Sequence, residues 1–152
     1  MKLIGTEKDR LLLHFGRREK DLFLHILRLY PRVPPAHYRV SKSGPADASS
    51  QQLLEEALVE QRNENQKQLS ALLGQPQRWA EQHSGWRLTL GPGEPEWLLQ
   101  VLNDIRVGSW LLLGSPDDQV QVVDDGNLLH AWAMEVAGAF EISLLKVLEK
   151  RL

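Results

Sequence analysis

Residues 96–114 read EWLLQVLNDIRVGSWLLLG, and this stretch decides the fold. It predicts a helix that is apolar on almost every side, which is the pattern of a helix at the centre of a helical domain. Asn103, Asp104 and Arg106 interrupt the apolar surface. Because an uncompensated charge is costly to bury, we expect these side chains to have hydrogen-bonding or ionic partners.

Arg106 is the most informative of the three. On a helical wheel it falls between Leu99 and Leu113, inside the apolar arc, and an arginine is almost never fully buried without a partner. We therefore predict an ion pair with Glu135 or Glu141 on the last helix, and a loss of about 3–5 kcal/mol if Arg106 is removed from a buried pair. The predicted polar core comprises Asn103, Asp104, Arg106, Glu135 and Glu141.

Apolar spacing predicts three further long helices. Residues 17–30 place their apolar side chains on one half of the wheel, and Pro31 ends the helix. A second helix runs from Ser49 to Gly74, and Asn127 begins the last one. In the second helix residues 60–68, EQRNENQKQ, contain no apolar side chain. This segment is either a solvated middle between two anchored ends or a polar surface for a partner.

The shorter segments give weaker signals. Residues 2–5 and 10–15 are apolar runs that predict either a hairpin or the start of a helix. A short helix is expected over residues 76–83 and a strand over residues 86–90. Valines at 120, 122 and 123 indicate one more strand.

Together these patterns predict a single mainly α domain spanning residues 1–152, with about four principal helices in a bundle. Short β elements are expected at the N-terminus and mid-chain. The composition, 42% hydrophobic and 25% charged, is typical of a globular protein. The sequence has no apolar signal-peptide core and no uncharged run of about eighteen residues. We therefore expect a cytoplasmic protein without a membrane anchor.

Charge is distributed unevenly along the chain. Residues 1–44 carry a net charge of +6 and residues 45–152 a net charge of −8. The basic end indicates a surface for an anionic partner, unless it packs on the acidic remainder of the same fold. The candidate residues are Arg17, Arg18, Lys20, His25, Arg28, Arg32, Arg39 and Lys42.

Catalytic and metal-binding motifs are not found. The chain has no cysteine, which excludes a disulfide, a thiol nucleophile and a thiolate metal site. The five histidines include no pair four residues apart, and HExxH, GxGxxG, GxxxxGK and GxSxG are all missing. We predict no catalytic residue, no metal ligand and no cofactor.

The chain resembles the AosR-like family of bacterial proteins, which includes actinobacterial oxidative-stress transcriptional regulators. The likeness lies in Trp97-Leu98, in Leu102-Asn103-Asp104 with Arg106, and in the closing helix, LLHAWAMEVAGAFEISLLKVL. It extends to an N-terminal β-like pair followed by a helix with Glu19 and Leu22. The resemblance implies a small cytoplasmic helical regulator that works through partners without catalysis. Redox sensing by a thiol pair does not carry over, since cysteine is absent.

The function predicted from the sequence is that of a non-enzymatic interaction or regulatory domain. It would act through a protein partner, with a homodimer as one arrangement. The alternative is a transcription-associated regulator that contacts DNA through the basic region from residue 17 to residue 42, because clustered cations supply most non-specific affinity for phosphate.

Overall fold

The computed structural model describes residues 1–38, 48–116 and 125–151. Four helices and four strands alternate in groups along the chain, and two single turns of 3₁₀ helix, Pro35–His37 and Pro76–Arg78, flank the second helix. In chain order the elements are β1 (Lys2–Glu7), β2 (Arg10–Phe15), α1 (Arg17–Leu27), α2 (Ala48–Gly74), β3 (Trp79–Gln82), β4 (Gly85–Leu90), α3 (Glu94–Leu112) and α4 (Asp125–Arg151).

The short β elements form one antiparallel sheet with the strand order β1-β2-β4-β3. The N-terminal runs therefore form a hairpin rather than the start of a helix. In β2 the side chains of Leu11, Leu13 and Phe15 alternate inward and are buried. Pairing of β2 with β4 sets Leu11 opposite Leu90, so two segments distant in sequence form the middle of the sheet.

The prediction of a short helix over residues 76–83 is wrong. Only the turn at Pro76–Arg78 is helical, and β3 then pairs with β4. A segment of eight residues is too short to hold a helix by itself. As a strand it satisfies its backbone on β4 and packs Trp79 edge-on against Phe15, with ring centroids 5.2 Å apart.

Gly85, at the start of β4, is required by its geometry. Its φ is +151°, and a Cβ at this position would lie 2.2 Å from the carbonyl oxygen of Phe15. Only a residue without a side chain allows β4 to approach β2 this closely.

The helices pack on this sheet around a continuous core. α3 and α4 lie along one another, and α1 contacts both. The prediction that α3 is the central helix is confirmed, since Leu98, Val101, Leu102 and Ile105 are at most 1% exposed. In its described residues the protein is thus mainly helical, with four α-helices and one small sheet.

α2 differs from the other helices. Of its 27 residues only Leu69 and Leu72, near its C-terminal end, are buried. Its predicted extent, from Ser49 to Gly74, agrees closely with Ala48–Gly74. Most of the helix is therefore available for contacts other than core packing.

The other helix boundaries shift slightly. α1 ends at Leu27 rather than at Tyr30, and Asn127 lies within the first turn of α4. The strand predicted at residues 120–123 lies outside the described residues.

By length and composition α4 is apolar enough to cross a membrane. Its best 18-residue window has a mean hydropathy of 1.3, and 28% of that window is buried within the fold. Core helices of proteins that never enter a membrane meet the same criterion. The cytoplasmic location stays a prediction.

Candidate functional site

Asp104 lies at the centre of a polar network between α2 and α3. Its Oδ1 accepts hydrogen bonds from the backbone amides of Arg32, at 2.7 Å, and Val33, at 3.4 Å. Its Oδ2 lies 3.6 Å from a guanidinium nitrogen of Arg62, and the two side chains are only 12% and 15% exposed. Asp104 therefore joins α3, α2 and the segment that follows α1.

Burial raises the pKa of the Asp104 carboxyl. The Arg32 amide, the Arg62 guanidinium and the Val33 amide oppose this shift, because each favours the ionised form. Desolvation is the largest of these effects, and it decides the direction. A raised carboxyl pKa is also found in catalytic acids, but both oxygens of Asp104 are engaged by groups of the protein itself.

Asn65 extends the network along α2. Its Nδ2 donates to the hydroxyl of Tyr30 at 3.0 Å, and its Oδ1 accepts from the indole Nε1 of Trp97 at 3.2 Å. Burial also raises the pKa of the Tyr30 phenol. The polar segment 60–68 is therefore only partly solvated, because two of its side chains face the core.

The sequence held a signal for these two inward residues. Arg62, Asn65, Leu69 and Leu72 have the spacing of one helical face. Extending the line of Leu69 and Leu72 toward the start of α2 therefore predicts that Arg62 and Asn65 face inward. Because both side chains are polar, this face is not recognised as an inward one from hydrophobicity alone.

A cleft of about 240 Å³ opens beside the network. Its lining is almost entirely polar or aromatic: Tyr30, Tyr38, Gln61, Arg62, Asn65, Gln100, Asn103 and Asp104, with Leu58. The opposite charges of Arg62 and Asp104 face one another within it. Such a cleft can hold water or a small hydrogen-bonding group. It offers no free carboxylate or nucleophile–base pair for catalysis among the residues that line it.

The predicted polar core is only partly formed. Arg106 does contact Glu141, with its Nε 3.2 Å from Oε2, and it donates to Oδ1 of Asn103 at 2.8 Å. However, the Arg106 side chain is 45% exposed, and Asn103 and Glu135 are exposed as well. Burial of Arg106 was therefore a wrong prediction, because a long side chain can leave an apolar arc and extend to solvent.

This exposure changes the expected effect of Arg106→Ala. A half-exposed ion pair contributes about 0.2–1 kcal/mol, against the 3–5 kcal/mol of a buried one. We expect thermal or urea denaturation to show a loss in the lower range. A loss above about 3 kcal/mol would mean that the pair is shielded from water in solution.

The basic residues do not form one continuous surface. Arg17 pairs with Glu81 at 3.6 Å, both side chains being exposed. The Nζ of Lys20 lies 3.4 Å from the ring centroid of Trp86, in a cation–π contact. Arg17 and Lys20 keep their positive charges, but these contacts hold the two side chains against strands β3 and β4.

Arg32 faces the interior. Its Nη1 lies 3.1 Å from Nδ1 of His130 and 3.5 Å from the hydroxyl of the buried Ser109. Burial lowers the pKa of its guanidinium. No described carboxylate lies within ion-pair distance of it.

Three basic candidates remain on the open side of α1 or just after it: Arg18, His25 and Arg28 are exposed. Asp21 lies among them and is also exposed. Arg39 and Lys42 lie outside the described residues.

A second groove runs along the outer face of α2, on the side away from the polar network. It encloses about 560 Å³ and is lined by Pro35, Ala36, Gln52, Glu55, Glu56, Val59, Glu60 and Asn63. Val59 is 45% exposed. Pro35, Ala36 and Val59 form an apolar floor, and Glu55, Glu56 and Glu60 lie beside it. The distribution of charge along the sequence does not predict this groove.

Within the described part of the chain, no three His, Asp or Glu side chains gather in a way that would hold a metal ion. Comparison of the sequence with protein-family models and curated proteins, and of the fold with solved structures, finds no match. The resemblance to the AosR-like family stays a prediction.

Proposed function

We propose that this helical-bundle domain is a non-enzymatic interaction module that binds a basic, amphipathic segment of a protein partner in the outer groove of α2. The observation that carries the proposal is the composition of that groove. Val59, Pro35 and Ala36 provide apolar surface, and Glu55, Glu56 and Glu60 provide the charge.

The position of the groove in the fold supports this function. The first half of α2 contributes no buried residue, and Leu53 and Val59 are 65% and 45% exposed. Core packing therefore does not explain why the helix continues so far beyond its anchored end. In the groove the exposed Val59 lies beside Pro35 and Ala36, and an exposed apolar patch bordered by polar residues is typical of a surface that receives another chain.

Charge selects the class of partner. Glu55, Glu56 and Glu60 have no ion pair with a described cation, although Glu55 and Glu56 each accept a hydrogen bond from a glutamine one turn earlier. Three carboxylates without an ion pair among the described residues, beside an apolar floor, attract lysine and arginine and repel acidic segments. A partner helix with leucines on one face and lysines beside them fits both features.

The test uses two synthetic helical peptides with identical leucine positions, one carrying lysine and the other glutamate at the polar positions. Fluorescence anisotropy should show binding of the lysine peptide only. In the variant Glu56→Lys with Glu60→Lys the affinity should fall about tenfold or more, since attraction becomes repulsion. Val59→Asn should weaken binding, because it places a polar amide on the apolar floor without changing the charge of the groove.

A charge-matched control separates the groove from overall charge. Glu7→Lys with Glu64→Lys changes the net charge equally at exposed positions outside the groove. We expect this variant to bind almost as the parent does. Equal losses in the two double variants would contradict the proposal, because binding would then follow net charge.

Duplex DNA is the probe for the alternative function. Affinity that falls steeply with salt, and that is lost in Arg18→Glu with Arg28→Glu, would favour the DNA-contacting regulator. Arg17, Lys20 and Arg32 each contact other residues of the fold and do not form one continuous basic surface. This favours binding of a protein partner over binding of DNA.

A further inference from the structure

The outer face of α4 carries apolar side chains that remain exposed. Ile142 is 56% exposed and Leu145 is 45% exposed. Phe140, Leu144 and Val147, on the opposite face, are buried in the core. The helix therefore has one apolar side for the fold and a second, mixed side on which Ile142 is exposed among charged residues, with Leu145 about 60° around the helix from it.

The second side has the spacing of a helix-pairing seam. Steps of three and four residues alternate along it, as in a heptad repeat. The seam is formed by Glu135, Ala139, Ile142, Lys146 and Glu149, all of them exposed. Trp132, one step before Glu135, packs against the core and lies 5.9 Å from the ring of His25, so it is not part of the seam.

The order of residues along this seam is self-complementary. If two copies of α4 lie antiparallel about a twofold axis between residues 140 and 141, Glu135 faces Lys146 of the partner subunit. In the same arrangement Ala139 faces Ile142 of the partner subunit, so a small side chain receives a large one. The twofold axis repeats both pairings.

Charge also excludes the parallel arrangement. In register, two parallel copies would set Glu135 against Glu135 and Lys146 against Lys146, and like charges directly opposite one another repel. The antiparallel arrangement turns both contacts into attractions. The same charged seam disfavours insertion of this face into lipid.

We propose that α4 pairs antiparallel with α4 of a second copy of this chain and forms a homodimer. The argued pairings run from Glu135 to Lys146 within α4, a stretch of helix about 17 Å long. An interface of one helix per subunit is small, and the exchange between monomer and dimer is rapid. The surface shares no residue with the outer groove of α2, so each proposal can fail without the other.

The test is sedimentation velocity of the full chain from micromolar to millimolar concentration. The parent should shift from monomer to dimer. Glu135→Lys and Lys146→Glu should each raise the dimer dissociation constant about tenfold or more, because each change makes two symmetric contacts repulsive. The double variant, with both charges exchanged, should restore dimerisation.

Lys67→Glu is the matched control, since Lys67 is exposed on α2, away from α4, and pairs with Glu64 three residues earlier on the same helix. It should dimerise as the parent does, and circular dichroism should show that every variant is folded. A parent that stays monomeric throughout would overturn the proposal. Dimerisation without rescue in the double variant would also overturn it. So would partition of a monomer onto phosphatidylcholine vesicles, which would assign the face to a membrane surface.

Discussion

Replacing Gly108 by alanine is expected to destabilise the protein by about 1–3 kcal/mol. A Cβ at this position would lie 2.3 Å from Cβ of Arg32 and 2.9 Å from the amide nitrogen of Val33. The obstacle is mainly backbone, so it cannot rotate away. α3 and the segment after α1 would have to separate. For a domain of this size the midpoint of thermal denaturation should fall by roughly 2–4 °C per kcal/mol.

Gly138→Ala is the control, because it places the same substitution in the middle of another long helix. There a Cβ would lie 3.5 Å from Cδ of Arg106, an ordinary contact. Replacing a mid-helix glycine by alanine should then stabilise the protein by about 0.5–1 kcal/mol. Opposite signs for the two variants are the expected result. A Gly108→Ala protein as stable as the parent would show that α3 does not approach Arg32 so closely.

Asp104→Ala is expected to have the other large effect, a loss of about 3 kcal/mol or more. The substitution leaves the amides of Arg32 and Val33 without their acceptor, and it leaves Arg62 without its carboxylate. Asp104→Asn keeps an oxygen for the two amides and removes only the charge. It should therefore be clearly more stable than the alanine variant in urea denaturation.

The pH dependence of these proteins follows from the raised pKa of Asp104. Between the pKa of the unfolded chain and that of the folded chain, the folded state binds more protons at this site. The contribution of Asp104 to stability is therefore largest below the unfolded pKa and declines as the pH rises through the folded pKa. Subtracting the Asp104→Asn profile from that of the parent should reveal this decline, and a difference that grows with pH would refute it.

Much of the fold could be predicted from the sequence, because apolar periodicity reports burial directly. The extent of α2, the central position of α3 and strand β4 all follow from such patterns. β3 could not be found in this way, since its strand conformation depends on pairing with β4 and on the burial of Trp79. Those contacts are tertiary, and they override local preference.

The candidate sites were harder to predict for a related reason. Polar residues on a helix give no sign of their direction unless an apolar stripe continues through them, as it does through Arg62 and Asn65. At Arg106 the pattern misleads in the opposite direction. Its backbone position lies in an apolar arc, which predicts burial, but its side chain extends to solvent. The sequence predicts Arg32 on the basic surface, because nothing in its local pattern indicates that its side chain turns toward Ser109 and His130.

The pairing of β2 with β4 has a consequence during synthesis of the chain. β2 is complete at Phe15, but its neighbour in the sheet ends at Leu90. At about 5–20 residues per second, the ribosome needs about 4–15 s to make the intervening segment. Throughout that interval the nascent hairpin presents an open edge, with Leu11, Leu13 and Phe15 along it. Such an edge is a template for pairing with other chains, so we expect the hairpin of β1 and β2 to need protection by a chaperone until β4 has been made.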